Sequence, residues 1–266
     1  NALTVATSIA SMRVAARKHG IVLSAAHVAI VGAAGNIGHV HATLLAGECA
    51  GLTLLGRPGS MSRLRTVADD VVRELCRAEA QDGPSEGSGE AGALRLAVRR
   101  LAGNAAPVSD PQQCAELRER LIGQGLLCLV ETPQACAQAD IVICASNSAS
   151  AFLDADCFAA DKPVLICDLA IPGDVDKASV AAVRHLKLIR GGVVNLPLAP
   201  QFNLPGMLLD AGQVYACAGE TMLLGLAGVR TDFSKGPIRP EQVREVEALA
   251  RLHGFELDRE KLIGGF

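Results

Sequence analysis

The sequence predicts a doubly wound α/β domain built on a mostly parallel sheet, with additional helices at both ends. Three observations predict it. From residue 27 onward, short apolar runs alternate with segments of helical period. Those runs are continuous rather than alternating, so both faces of each strand require cover, as in a parallel sheet. The first run also ends in a glycine-rich turn that opens a helix, the spacing of a dinucleotide-binding βα unit.

The elements follow in order. "NALTVATSIASMRVAARKHG", residues 1–20, reads as an amphipathic leading helix; it lacks the uninterrupted apolar centre of a secretory signal. "HVAIVG" is the first strand, and "NIGHVHATLLAG" the helix after it, stopped by glycine. "LTLLGR" is the second strand. "SMSRLRTVADDVVRELCRAEA" is a helix with apolar positions at 61, 64, 67, 68, 71, 72 and 75. Residues 81–92, "QDGPSEGSGEAG", read as a flexible surface loop. Helical stretches at 93–102 and 111–123 follow, so that 76–124 forms an elaborated crossover. "GLLCLVE" resumes as a strand, and "TPQACAQA" is a short helix with Thr132 as cap and Pro133 in the first turn. "DIVICAS", "KPVLICDLA" and "LKLIRGGVV" are the remaining strands. After 210 the chain turns helical, at 210–227 and 238–253. The whole of 1–266 is expected to be one domain, with 210–266 as its C-terminal helical part.

Composition excludes several function classes. The formal charge is −3, so no global field draws the chain to nucleic acid or an anionic membrane. Aromatics are scarce, with no Trp and one Tyr, so a platform for stacking bases is not expected. No apolar run is long enough to span a bilayer. The nine cysteines form no CxxC pair and no zinc spacing, and several lie inside apolar runs. They read as reduced, buried thiols of a cytoplasmic protein, and no metal site is expected.

The candidate cofactor site starts at "VAIVGAAGNIGHV". Gly32, Gly35 and Gly38 follow a strand directly, with Asn36 and Ile37 opening the helix. Such a turn lets backbone N–H groups face a pyrophosphate at the helix N-terminus, while the third glycine lets the helix approach the sheet. An ordinary tight βα turn is the alternative. At the end of the second strand an NAD site wants an acid, and none is present. Arg57 is there instead, followed by Ser60, Ser62 and Arg63, groups suited to the extra phosphate of NADP. "CASNSAS" supplies Ala145, Ser146 and Asn147 at another strand end, where ligands collect. Beyond the next strand lie Asp168, read either as a loop cap or as part of the site, and Leu169; Gly191 and Gly192 offer close backbone approach. The six histidines read as surface or element-edge residues rather than as bases.

"VAIVGAAGNIG", "DLAIPGDV", "GQVYACAGETMLLGL", "RTDFSKG" and "ALARLHGF" together resemble the long-chain fatty acyl–acyl-carrier-protein reductases of cyanobacteria, over residues 1–255 apart from 76–124. The resemblance implies NADPH as cofactor, an acyl thioester on acyl carrier protein or CoA as substrate, and a fatty aldehyde as product. It also implies that Cys217 takes the acyl group as an enzyme thioester. That chemistry suits the residue: a thiolate exchanges with a thioester at little thermodynamic cost and holds the carbonyl for reduction. Glu220, three residues on, lies on roughly the same helix face and reads as a proton relay or an orienting group. The chain departs from the family pattern in three ways. Ala34 replaces a threonine in the turn, the 76–124 segment is longer, and the family's N-terminal portion has no counterpart ahead of the leading helix. A reductase module cut from, or working with, a larger synthase is therefore expected. "DLAIPGDV" alone also resembles glutamyl-tRNA reductases and shikimate dehydrogenases. Two alternatives follow: a shikimate-type NADP dehydrogenase acting on a small hydroxy acid or ketone, and a non-catalytic nucleotide-binding module.

Overall fold

The computed structural model describes residues 1–82, 91–102, 110–197, 202–203, 206 and 209–257. The continuous apolar runs become six parallel strands: β1 (His27–Val31), β2 (Gly51–Leu55), β3 (Leu127–Val130), β4 (Ile141–Cys144), β5 (Val164–Asp168) and β6 (Leu186–Arg190). Their order in the sheet is β3-β2-β1-β4-β5-β6, with Val28 of β1 in register with Leu52 on one side and Ile141 on the other. The chain winds one way from β1 to β3 and the other way from β4 to β6. The direction reverses between β1 and β4, and it is at the carboxyl ends of such a pair that a doubly wound sheet opens a crevice.

The two faces are covered unequally. Val28, Ile30, Leu52, Leu54, Ile141 and Ile143 face a thick helical layer. It contains α1 (Ala2–Lys18), α2 (Asn36–Leu45), α3 (Met61–Asp82), α4 (Ala93–Ala102) and α5 (Pro111–Gly123). Of the helical stripe on α3, Leu64, Val67, Ala68, Val71, Val72 and Leu75 are buried, each larger side chain contributing about 2 kcal/mol relative to exposure. Glu79 of α3 receives both Arg95 and Arg99 of α4, which docks the crossover onto the layer. Asp110 caps α5 by accepting the N–H of Gln112 at 3.2 Å, with Pro111 in the first turn. The opposite face, built on Ala29, Val31, Val142, Cys144, Val164 and Ile166, has no long helix among the described residues. Two 3-10 turns (Pro133–Gln138 and Ala155–Cys157) and the five-residue α6 (Lys177–Ala181) cover it.

Three expectations are corrected. The run 186–194 is not one strand: it breaks at Gly191 and Gly192, the latter at φ +70°, and β7 (Val193–Asn195) leaves the main sheet. Nor does the helix expected at 210–227 begin there. Gln213–Tyr215 form β8, paired antiparallel with β7, and α7 starts only at Ala216 and runs to Leu226. Edge pairing decides this, because the backbone of 213–215 finds its partners in β7 rather than in a helical turn. Of the loop expected at 81–92, residues 81 and 82 belong to α3 instead; residues 83–90 lie outside the described part. The last described helix is α8 (Pro240–Leu252).

The leading helix is more than amphipathic. Twelve of the seventeen residues of α1 are buried, and it packs on α2, α7, α8 and the ends of β5 and β7. Its small side chains permit this. A Cβ built at Gly192 would lie 3.1 Å from Thr4 Cγ2, and one at Gly191 would lie 3.2 Å from Ser8 Cβ. The residues that break the last strand are therefore those over which α1 crosses. Among the described residues, no helix is long and apolar enough to cross a membrane.

Candidate functional site

The glycine turn lies at the carboxyl end of β1, where the sheet changes direction. Gly32 sits at φ +76°, outside the range ordinary side chains adopt, and the N–H groups of Gly32 and Ala33 both donate to Leu55 O at 2.9 and 3.1 Å. A side chain has no room at either end of the turn. A Cβ at Gly32 would stand 2.7 Å from Ala145 O and 2.8 Å from Ser146 Cα; one at Gly38 would stand 2.4 Å from Gly32 O. Gly38 thus presses α2 onto the turn, while Gly35 and Asn36 at the helix start stay exposed and Ile37 is half-buried. The first-turn N–H groups of a helix lack intrahelical partners, so this end offers donors to an anion.

At the end of β2, Arg57, Ser62 and Arg63 are exposed. Ser60 is not: it is fully buried, and its hydroxyl donates to Arg57 O at 2.6 Å. It closes the turn beside Gly56 rather than facing the crevice.

The loops after β4 and β5 are each tied by a buried carboxylate. Asp174 accepts the N–H of Ser146 at 3.0 Å and also its hydroxyl, while Asn147 is exposed. Asp168 accepts from Ala170 N–H at 3.0 Å and from Val175 N–H at 3.3 Å, so it is the loop cap, with Leu169 half-buried beside it. Oxygens of both acids and the Cys144 sulfur lie within 4.8 Å of one another. Burial, with the neighbouring Asp174 charge, pushes the Asp168 carboxyl up to about 6; burial also raises Asp174. The Cβ side of Gly191 is closed by Cys167, Leu169 and Ser8, so this glycine serves the approach of α1.

Backbone hydrogen bonds run along the carboxyl edge from the glycine turn to α7. Ala145 N–H donates to Val31 O at 3.0 Å, Leu169 N–H to Cys144 O at 2.9 Å, Gly191 N–H to Asp168 O at 2.9 Å, and Ala216 N–H to Gly192 O at 2.8 Å. Cys217 follows Ala216 in the first turn of α7. Of the nine cysteines, seven are buried, Cys128 is half-buried and Cys217 is exposed. Burial pushes the Cys49 and Cys136 thiols up to about 12, whereas Cys217 is an exposed residue. Glu220 does not share that exposure. One carboxylate oxygen accepts Leu3 N–H at 2.7 Å; the other accepts from the Asn1 nitrogen at 2.9 Å and from Ser234 Oγ at 3.0 Å. It is an anchor for the start of α1. The segment carrying Ser234 continues to Gly236, whose carbonyl accepts from Asn36 Nδ2 at 3.2 Å, so it links α7 to the start of α2.

Sequence reading assigned no role to Asp174 or to this linking segment. Asp174 stands in a quoted motif, but its partner Ser146 is 28 positions away, a pairing no local pattern reveals. His41, read as a surface or edge residue, is fully buried in α2. Its Nδ1 lies 2.8 Å from Ile37 O, which only accepts, so Nδ1 carries a proton; its Nε2 lies 2.7 Å from the oxygen of Ser8, whose hydroxyl also reaches Val5 O at 2.9 Å.

A pH dependence follows. Burial lowers His41 from 6.5 to about 4, so its contribution to stability is complete above pH 6.5 and is lost as pH falls through 4. Asp168 is raised from 3.8 to about 6, so the folded state takes up its proton first and gains stability as pH falls from 6 towards 3.8. The two slopes oppose each other. Asp168→Asn removes the second, and its acid loss between pH 6 and 4 is expected to exceed that of the parent by about 2 kcal/mol. Urea denaturation at pH 4, 5, 6 and 7 measures the difference; parallel profiles for the two chains contradict it.

No protein-family model matches the chain, and no curated protein matches it. A solved structure titled "crystal structure of AibC" is similar at 15% identity and a TM-score of 0.34, covering 94% of this chain and 54% of that one. The chain therefore spans about half the length of that protein.

Proposed function

We propose that the chain is an NADPH-dependent acyl-thioester reductase that releases an aldehyde and uses Cys217 as the acyl acceptor. The observation that carries this reading is the single exposed cysteine, on the first turn of α7, a helix bonded to the carboxyl edge that also bears the glycine turn. A dinucleotide suits the turn, because Gly32 and Gly38 leave no space for a Cβ and the exposed start of α2 supplies donors for a pyrophosphate. Arg57 and Arg63, both exposed at the end of β2, are the groups that would hold an extra 2′-phosphate. The bound cofactor supplies the hydride that brings the acyl carbon to the aldehyde level.

The remaining chemistry belongs to this chain. The Cys217 thiolate attacks the carbonyl of an acyl carrier protein or CoA thioester. A new C–S bond forms, the bond to the carrier sulfur breaks, and the carrier thiol leaves with a proton. After reduction the Cys217–carbon bond breaks, the aldehyde departs and the sulfur is free again. Glu220 supports this from a distance by fixing α1 against α7. The resemblance to acyl-carrier-protein reductases supports the same assignment.

Mass spectrometry after incubation with an acyl thioester, without NADPH, is expected to show one acyl adduct that disappears in Cys217→Ala. An adduct persisting in that variant removes Cys217 from the mechanism. NADPH binding with no adduct and no turnover on any thioester points instead to a nucleotide-binding module.

A further inference from the structure

We infer that Asp174 is a positioning residue for the dinucleotide: it clasps both ends of the loop between Ser146 and Leu153 and so holds the wall against which the glycine turn is packed. The inference rests on the reading that this crevice binds NADPH.

The geometry is local and double-ended. The Asp174 carboxylate takes the N–H and the hydroxyl of Ser146, where the loop leaves β4. The Asp174 carbonyl accepts the N–H groups of Phe152 and Leu153 at 2.9 and 3.0 Å, where the loop ends. Ser146 Oγ in turn accepts Ser148 N–H at 3.1 Å, which extends the hold into the loop. The clasped end is the one that touches the turn, since Ser146 Cα and Ala145 O occupy the space a side chain at Gly32 would need. Asp174 is fully buried, so it reaches no ligand itself and acts through Ser146. Beneath it Asp168 performs the same operation on the next loop, holding Ala170 at its start and Val175 at its end. Val175 follows Asp174 directly, so the second clasp fixes the residue that makes the first. The crevice wall is held from below by two nested carboxylates, not by the residues that line it.

The test uses the full chain and NADPH, whose own fluorescence reports binding because the chain has no Trp. Asp174→Ala is expected to weaken NADPH binding about tenfold at a temperature where circular dichroism shows the variant folded. Asp174→Asn, which keeps an acceptor for Ser146 N–H and offers a donor to its hydroxyl, is expected to recover most of that loss. Ser146→Ala is expected to weaken binding by about threefold alone and to add little on top of Asp174→Ala, because both break one link. Unchanged affinity in folded Asp174→Ala overturns the assignment. So does full additivity of the two substitutions, which is what two independent structural lesions would give. If Asp174→Ala does not fold, Ser146→Ala decides alone, and unchanged NADPH affinity in that folded variant overturns the assignment. A parent chain that fails to bind NADPH overturns the cofactor reading itself, and this inference with it.

Discussion

A Gly38→Ala variant is expected to lose about 3 kcal/mol of stability, lowering the melting temperature by roughly 6–12 °C, and with it most of its dinucleotide affinity. The new methyl would lie 2.4 Å from Gly32 O, 2.8 Å from Gly32 C and 2.9 Å from Ala33 Cα. All three are backbone atoms, so no rotamer change relieves the overlap. Either α2 withdraws from the turn or the turn changes shape, and both disperse the donors at the helix start. Gly32→Ala is expected to cost at least as much. It combines a positive φ with a Cβ 2.7 Å from Ala145 O. Gly59 is the internal control. Its φ of +81° is similar, but nothing lies within 4 Å of its missing Cβ. Gly59→Ala is therefore expected to cost only about 1 kcal/mol, the conformational penalty without the collision. Urea midpoints for the three variants separate the two causes. Equal losses in Gly32→Ala and Gly59→Ala would show that backbone conformation, not space, governs the turn.

For Cys217→Ala the expected result is loss of aldehyde formation by at least about a thousandfold, with NADPH affinity held within about twofold of the parent. No other cysteine is exposed. Seven are buried, and burial pushes those of Cys49 and Cys136 up to about 12, far from the thiolate form at neutral pH. Single-turnover NADPH oxidation with product identification measures the loss. The same arrangement predicts that a small alkylating reagent titrates one thiol quickly in the native chain and all nine in denaturant. Turnover that survives alkylation of Cys217 would favour hydride transfer to a small carbonyl without covalent capture.

The parts of this fold that follow from local chemistry are legible in the sequence. The boundaries of α4 and α5 correspond to the helical stretches read at 93–102 and 111–123. The six parallel strands follow from their continuous apolar runs. What depends on distant partners is not legible. Residues 213–215 carry no strand signature strong enough to outweigh the helix that follows; only β7 makes them a strand. Ser60 looks like any hydroxyl after a strand, yet the packing against Gly56 turns it inward. Glu220 lies on the right helix face for a relay, but the start of α1, more than two hundred residues earlier in the chain, claims both its oxygens. In the same way the two glycines after β6 suggested a close ligand, and the close neighbour is a helix.

The place of α1 bears on how the chain reaches this state. Within this chain α1 is made roughly two hundred residues before two of its docking partners, α7 and α8. Until they emerge, this alanine-rich helix has only the α2 and β5 side of its site, and the contacts that complete it are of high sequence separation, which slows folding. The chain therefore carries its centrepiece only partly docked until α7 and α8 exist, and aggregation through the apolar face of α1 at that stage is where its vulnerability lies.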